Sequence, residues 1–437
     1  MFLKTVGKCL LLTSIMHQGY SLFHRKSPPK FEIGALFRLV MLIMALDFKK
    51  VLIVGFSIII VGSVLFIFAV RWDRQTNHVI GPGRFSDPTL KSVSVLCRHG
   101  NRAPMFKYNT DPYKNIFPEE HMGLTKKGKQ NMYKKGQILR RLYNGFLSDL
   151  YLDSEILIKT TNTSRTFMTA AMVLAGIYPP KDYQKWSDSE TVWQPIPIHN
   201  DSPDRGMLFG SNGVCPSIDS FNKNHDQIVN NIIESDENLR TLMPYLSEKC
   251  EQPITGKNVL KLYDLFVCQM AEGSPLPEFI KPHHIATIKS IISKKEFTEF
   301  FFENTRPLLN EIGLNMESRS NNNDTRKMYL YSGHDISISM AISFLGNIIE
   351  IPGFGASLHF HMYHDVTNGY IVKVLYFDQW DNEKGKEVII PNCGNPCKFE
   401  DFKTLLAINF SEKWEDECQK FIILPAQCYN FYTDSRK

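Results

Sequence analysis

The segment Arg98-His99-Gly100-Asn101-Arg102-Ala103-Pro104 brings two guanidinium groups and an imidazole into one short loop. Arginine presents a rigid fork of donors that matches phosphate oxygens, so the pair makes an anion site. The imidazole between them is suited to act as nucleophile or base. Those residue types at that spacing point to phosphoryl chemistry carried out without a metal.

Two further stretches carry groups of the same kind. Thr163-Ser164-Arg165-Thr166 puts Arg165 at the start of a helical run, where backbone N–H groups add donors for an anion. Taken alone, an arginine there is more often a surface residue. Ser332-Gly333-His334-Asp335 precedes the apolar run Ile336 to Leu345. Asp335 would sit near a helix N-terminus, where the macrodipole favours its charged form; a plain helix cap is the competing reading. Each stretch is weak by itself, and the three together are harder to dismiss.

The elements that must position these loops are legible from periodicity. Ser92–Cys97, Ile156–Thr161 and Lys327–Tyr331 read as buried strands, each running into one of the three loops. Ligands of open α/β sheets gather beyond the carboxyl ends of such strands. Thr125 is the expected N-cap of a helix through Tyr143, with Met132, Leu139 and Leu142 on its apolar stripe. A helix from about Ser164 to Gly176 follows the second strand, and strand character returns at Ile371–Tyr376. Between residues 200 and 320 helical patterns dominate. Strands alternating with helices at both ends imply an α/β core.

The net charge of +5 is small and argues for no strongly anionic partner. The pairs Lys126-Lys127, Lys134-Lys135 and Arg140-Arg141 read as a solvated helix face. No aromatics interleave them as a stacking platform, so no nucleic-acid partner is expected.

Val51 to Val70 contains no charge and, at about 1.5 Å per residue, is long enough to span a bilayer core of roughly 30 Å. Lys49 and Lys50 precede it, which favours a cytoplasmic N-terminus with the large domain outside or in a lumen. An uncleaved signal-anchor is preferred to a cleaved signal, because no small-x-small pattern lies near Phe68-Ala69-Val70. A start at Met41 or Met44, or cleavage, would instead make the domain secreted. The resulting organisation is a tail at 1–50, a membrane segment at 51–70 and a stalk at 71–90. An α/β core at 91–200 and 325–437 would follow, interrupted by a helical cap at 201–324. Sequons at Asn162, Asn200, Asn323 and Asn409, together with eight cysteines after the apolar segment, favour a secreted, lumenal or cell-surface setting.

Arg-His-Gly-x-Arg-x-Pro at 98–104 with a later His-Asp at 334–335 resembles the histidine acid phosphatase family. Leu124-Thr125-Lys126-Lys127-Gly128, Tyr133 through Tyr143, Ser164-Arg165-Thr166 and Trp193 to His199 are similar to the animal prostatic and lysosomal types. So are Leu262-Tyr263-Asp264 and Cys393-Gly394-Asn395-Pro396-Cys397. The resemblance covers about residues 90–420 and is poorest in the helical insertion. It implies a mixed-sheet α/β core flanked by helices, with a smaller inserted helical cap domain, here preceded by a single transmembrane helix.

The resemblance also assigns roles. His99 would attack phosphorus and carry a phosphohistidine, and Asp335 would protonate the leaving alcohol. Arg98, Arg102, Arg165 and His334 would bind the phosphoryl oxygens, with no cofactor. It implies bridges Cys215–Cys418 and Cys393–Cys397, the latter pair otherwise readable as half a zinc site. The family's third bridge has one half at Cys268, but its other half falls at Gly355 to His359, where there is no cysteine. Cys250 then becomes the candidate partner. Cys97 is expected as a buried free thiol, and Cys428 has no assigned partner. His359, His361 and His364 invite a metal reading, yet lack a clear acidic or cysteine set and are expected to be structural.

The function expected is therefore a membrane-tethered acid phosphatase acting on small phosphate monoesters or phosphopeptides. Animal relatives suggest a homodimer. The alternatives are an inositol-polyphosphate (phytase-type) phosphatase of the same superfamily and an inactive ectodomain that binds anions or proteins.

Overall fold

The computed structural model describes residues 83–188, 193–200, 216–294, 306–347 and 351–409. The expected membrane segment at 51–70 and Cys215, Cys418 and Cys428 lie outside them. Among the described residues no helix is long and apolar enough to cross a membrane.

The sheet grows from β1 (Leu90–Arg98), whose residues are almost all buried. It is joined in parallel by β4 (Met328–Gly333), then β2 (Ile156–Thr160) and the short β3 (His199–Asn200). On its other edge β1 pairs antiparallel with β5 (Ser357–Asp365), followed by β6 (Gly369–Phe377) and β7 (Lys386–Val388); β8 (Cys397–Lys398) also pairs with β6. The sheet is thus mixed, in the order β3-β2-β4-β1-β5-β6-β7.

Strand alternation sends successive side chains to opposite faces, and both faces are covered. Val93, Val95, Cys97, Ile158, Leu330 and Phe377 pack under α1 (Lys126–Leu142) and α2 (Ser164–Ile177). Leu96, Tyr329, Tyr331, Phe360 and Val374 face the other way. There they meet α7 (Arg306–Ser320), α8 (Asp335–Phe344) and α9 (Phe399–Asn409). Helix α7 falls within the stretch expected for the cap, yet it buries Leu308, Leu309, Ile312 and Met316 against the sheet.

Helices α1 and α2 touch through glycines. A Cβ on Gly136 would stand 2.0 Å from the Val173 carbonyl oxygen, and one on Gly176 would stand 2.2 Å from that of Tyr133. Four helices build a separate apolar cluster around Val229, Leu246, Leu262 and Phe266: α3 (Pro216–Ser235), α4 (Glu237–Cys250), α5 (Val259–Glu272) and α6 (Pro282–Lys289). Tyr108 and Met340 join it from the sheet side.

Two expectations need correction. The basic face of α1 is not wholly solvated, since Lys135 and Arg140 are buried. Arg140 turns back to donate to the carbonyls of Leu147 and Ser148, which close the turn after the helix. The Cys250–Cys268 bridge is absent. Both are free buried thiols in different surroundings, Cys250 near Asp111 and Cys268 receiving a hydrogen bond from Arg102. Cys393 and Cys397 do form a disulfide, and Cys97 is free and buried. Asn162, Asn200 and Asn323 are exposed.

Candidate active site

The carboxyl ends of β1, β4 and β2 lie level, because Cys97 and Thr160 both pair with Ser332. Each chain then leaves the sheet with its polar cargo. β1 ends in Arg98 and continues into His99. β4 leads to His334 and Asp335, the N-cap and first residue of α8. β2 leads, through a short Thr-rich turn, to Arg165 near the start of α2. The structure brings all six expected residues together. Arg98, His99, Arg102, Arg165 and His334 are buried, while the Asp335 side chain keeps 34% of its exposure.

The loop of the first motif is fixed from several sides. His99 N–H donates to the Gly333 carbonyl at 3.0 Å, and Gly355 N–H donates to the His99 carbonyl at 3.1 Å. Gly100 N–H donates to Thr169 Oγ1 on α2. The Asn101 carbonyl accepts from the N–H of Thr125, and Thr125 caps α1 by accepting from Gly128 N–H. Residue 128 must be glycine, since a Cβ there would stand 2.1 Å from the Asn101 carbonyl oxygen.

His99 Nδ1 lies 2.9 Å from the Gly100 carbonyl. A carbonyl only accepts, so Nδ1 carries the proton and Nε2 keeps its lone pair. Burial pushes the imidazole well below its usual pKa, and Arg165, Arg102, Arg98 and His334 push the same way. The ring meets His334 edge-on, with centroids 5.5 Å apart.

His334 is assigned by the same logic. Arg165 Nη2 sits 3.3 Å from its Nδ1 and only donates, so Nδ1 accepts and Nε2–H donates to Thr161 Oγ1 at 2.9 Å. Burial and the three arginines keep this ring neutral too.

Arg98 bridges to Asp335, with Nη2 to Oδ2 at 2.7 Å, donates to the Pro352 carbonyl and stacks over Phe354 at 4.2 Å. Burial raises the Asp335 carboxyl, but Arg98, Arg102, Arg165 and the N–H of Ile336 outweigh it and hold it below its ordinary value. Asp335 is therefore a carboxylate.

The loop of the first motif also meets α5, which the sequence reading of the site missed. Asp264 grips Arg102 with both oxygens, at 2.7 and 3.1 Å. Glu272 Oε1 accepts from Thr125 Oγ1 and Asn101 Nδ2 at the far end of the same helix. Tyr263 borders Arg98 and Asp335; burial pushes its phenol up to about 12, with Arg98 opposing. The only sequence signal for these residues was Leu262-Tyr263-Asp264 as a stretch of resemblance. At the exposed rim His121 is held below its usual pKa by burial, Arg102 and Arg165. Three guanidiniums face two carboxylates, so the site carries one unbalanced positive charge that an anion would satisfy. His359 and His361 lie elsewhere, on β5, with all four ring nitrogens hydrogen-bonded to Tyr143, Ser357 and Tyr363.

The chain is similar to known proteins. The family model for the histidine phosphatase superfamily (branch 2) matches residues 89–377. Prostatic acid phosphatase of Mus musculus is 29% identical over 78% of this chain and 91% of that protein. Lysosomal acid phosphatase of Homo sapiens is 30% identical over 76% of this chain and 80% of its own length. Among solved structures, the Hafnia alvei phytase in complex with tartrate superposes with a TM-score of 0.54. It is 16% identical and covers 75% of this chain and 98% of that one. The Citrobacter braakii phytase gives 0.53 at 16% identity, with 74% and 98% covered. The motif at 98–104, the level strand ends that gather its partners and the family match across the sheet all agree, and the chain belongs to branch 2 of the histidine phosphatase superfamily and is a phosphatase.

Proposed function

We propose that the protein hydrolyses phosphate monoesters at acid pH through a phosphohistidine on His99, without a metal. The observation that carries this is a buried, neutral His99 whose Nε2 lone pair is directed by the Nδ1–Gly100 hydrogen bond and lies in the field of three arginines. Phosphoryl transfer needs mostly positioning and charge stabilisation, which guanidiniums supply.

Phosphoryl oxygens bind Arg98, Arg102 and Arg165, while His334, whose Nε2–H is given to Thr161 and whose Nδ1 accepts from Arg165, holds Arg165 in place. His99 Nε2 attacks phosphorus in line while the bond to the ester oxygen breaks. Substrate draws Arg98 away from Asp335 and sets an anion beside the carboxyl. Both changes raise its affinity for a proton, so at acid pH Asp335 arrives protonated and donates to the leaving alkoxide. Asp335, now a carboxylate, takes a proton from water as that water attacks the phosphohistidine. The P–N bond breaks and inorganic phosphate leaves.

A lumenal or extracellular setting is supported by the Cys393–Cys397 disulfide, the exposed sequons and the apolar run at 51–70. The test is the full chain and its His99→Ala variant against aryl, alkyl and inositol phosphates across pH. Turnover and ³²P-labelled intermediate should both vanish in the variant. Retained turnover would overturn the covalent route.

A further inference from the structure

We propose that Asp264, on a helix of the inserted lobe, is the residue that positions Arg102 for phosphate, an inference that rests on the phosphatase reading. The two side chains lie 162 residues apart in sequence, and they meet as a bidentate pair with Asp264 only 15% exposed on its side chain. A planar guanidinium has five N–H donors in two usable edges. Asp264 takes the end-on edge, one donor each from Nη1 and Nη2. The second Nη1 donor is shared between the Ala103 carbonyl at 3.0 Å and Cys268 Sγ at 3.7 Å. What remains is the side-on edge, Nε–H with the second Nη2–H. Nε is buried and has no hydrogen-bond partner among the described residues. A donor buried in that state is destabilising unless a ligand accepts from it.

Asp264 therefore does not compete for the edge that phosphate would use. It locks the rotation of the fork, so that the unused edge is presented to a phosphoryl oxygen, and it removes the entropy of holding a long side chain in place. Helix α5 thereby carries the inserted lobe's contribution to phosphate binding, and Asp264 acts wholly through Arg102.

A double-mutant cycle on the full chain tests this. Inorganic phosphate affinity is measured by calorimetry and as product inhibition, alongside KM, kcat and Tm. Asp264→Ala should weaken phosphate binding on the order of 10²-fold, the loss expected when a binding group drifts by about 1 Å. Asp264→Asn, which keeps one acceptor, should lose less. In an Arg102→Ala background, Asp264→Ala should change phosphate affinity by less than about twofold, because the pair acts as a unit. Phosphate affinity within twofold of the parent in Asp264→Ala would overturn the proposal, as would additive losses in the double variant. A parent chain that binds phosphate but turns over no ester would instead sink the phosphatase reading, and the cycle would still judge Asp264 on binding.

Discussion

A histidine that attacks phosphorus has to be neutral at the pH where the enzyme works, and for an acid enzyme an ordinary imidazole would be largely protonated. His99 avoids this by burial first and by the fields of Arg165, Arg102 and Arg98 second. Its proton affinity is depressed, so it stays unprotonated as pH falls through 6.5. The rate of phosphoenzyme formation from a nitrophenyl ester should therefore stay flat between about pH 7 and 5, measured by rapid quench. A loss with a midpoint near 6.5 would mean that His99 is an ordinary imidazole. Asp335 obeys a different rule, because it matters only when the leaving oxygen needs a proton. Asp335→Asn should lower kcat by about 10²- to 10⁴-fold on an alkyl phosphate and far less on the nitrophenyl ester. Equal losses on both would place Asp335 in binding rather than in proton transfer.

Helix α1 shows what a linear sequence can reveal and what it conceals. Its start at Thr125 and its apolar stripe through Met132, Leu139 and Leu142 were readable, because capping and periodicity are local. The three strand-borne motifs were readable for the same reason. Asp264 was not, since its partner lies 162 residues away on another lobe. Lys135 was misread beside Lys134 because neighbours on a helix are rotated by about 100°. Lys134 is exposed, whereas Lys135 is 0% exposed, lies over the Phe377 ring and has no hydrogen-bond partner among the described residues. Burial pushes its amine down to about 8. The folded state then binds this proton less readily than the unfolded chain, so stability falls as pH drops from the ordinary value to about 8 and is constant below. A shift of that size corresponds to about 3 kcal/mol. Lys135→Met should stabilise the protein by about that amount at pH 7, read as a urea midpoint, while Lys134→Met stays within about 0.5 kcal/mol. No gain from Lys135→Met would contradict its unpartnered burial. Gly136→Ala on the same helix should destabilise by about 1–3 kcal/mol or more, because its new methyl meets the Val173 backbone.

Across the whole molecule, burial sets an acid liability that the chemistry must coexist with. Besides His99 and His334, the sheet buries His359 and His361 in a chain that runs from Ser357 through His359, Tyr143 and His361 to Tyr363. The Tyr143 hydroxyl has one proton, so it donates to one ring and accepts from the other, and both rings are neutral links in one directed chain. Burial depresses all four histidines, His361 to about 3. Glu155, Asp324 and Asp335 are also held below their ordinary values, by Lys327 and Ser148, by Tyr329 and Arg326, and by Arg98, against the opposing effect of burial. Both sets work in one direction. Below about pH 6.5 the unfolded chain takes up protons that the folded chain refuses, so stability falls with pH. For His361 alone the loss between pH 6.5 and 4.5 is about 2 kcal/mol, a large share of the stability of an ordinary domain. Phosphate binds only the folded site and offsets this by mass action. The expected Tm therefore declines steadily from pH 7 to 4.5, and millimolar phosphate makes the decline shallower in the parent than in Arg102→Ala. A Tm that rises on acidification would show that the buried histidines become protonated in the folded state, and the neutral nucleophile would fall with them.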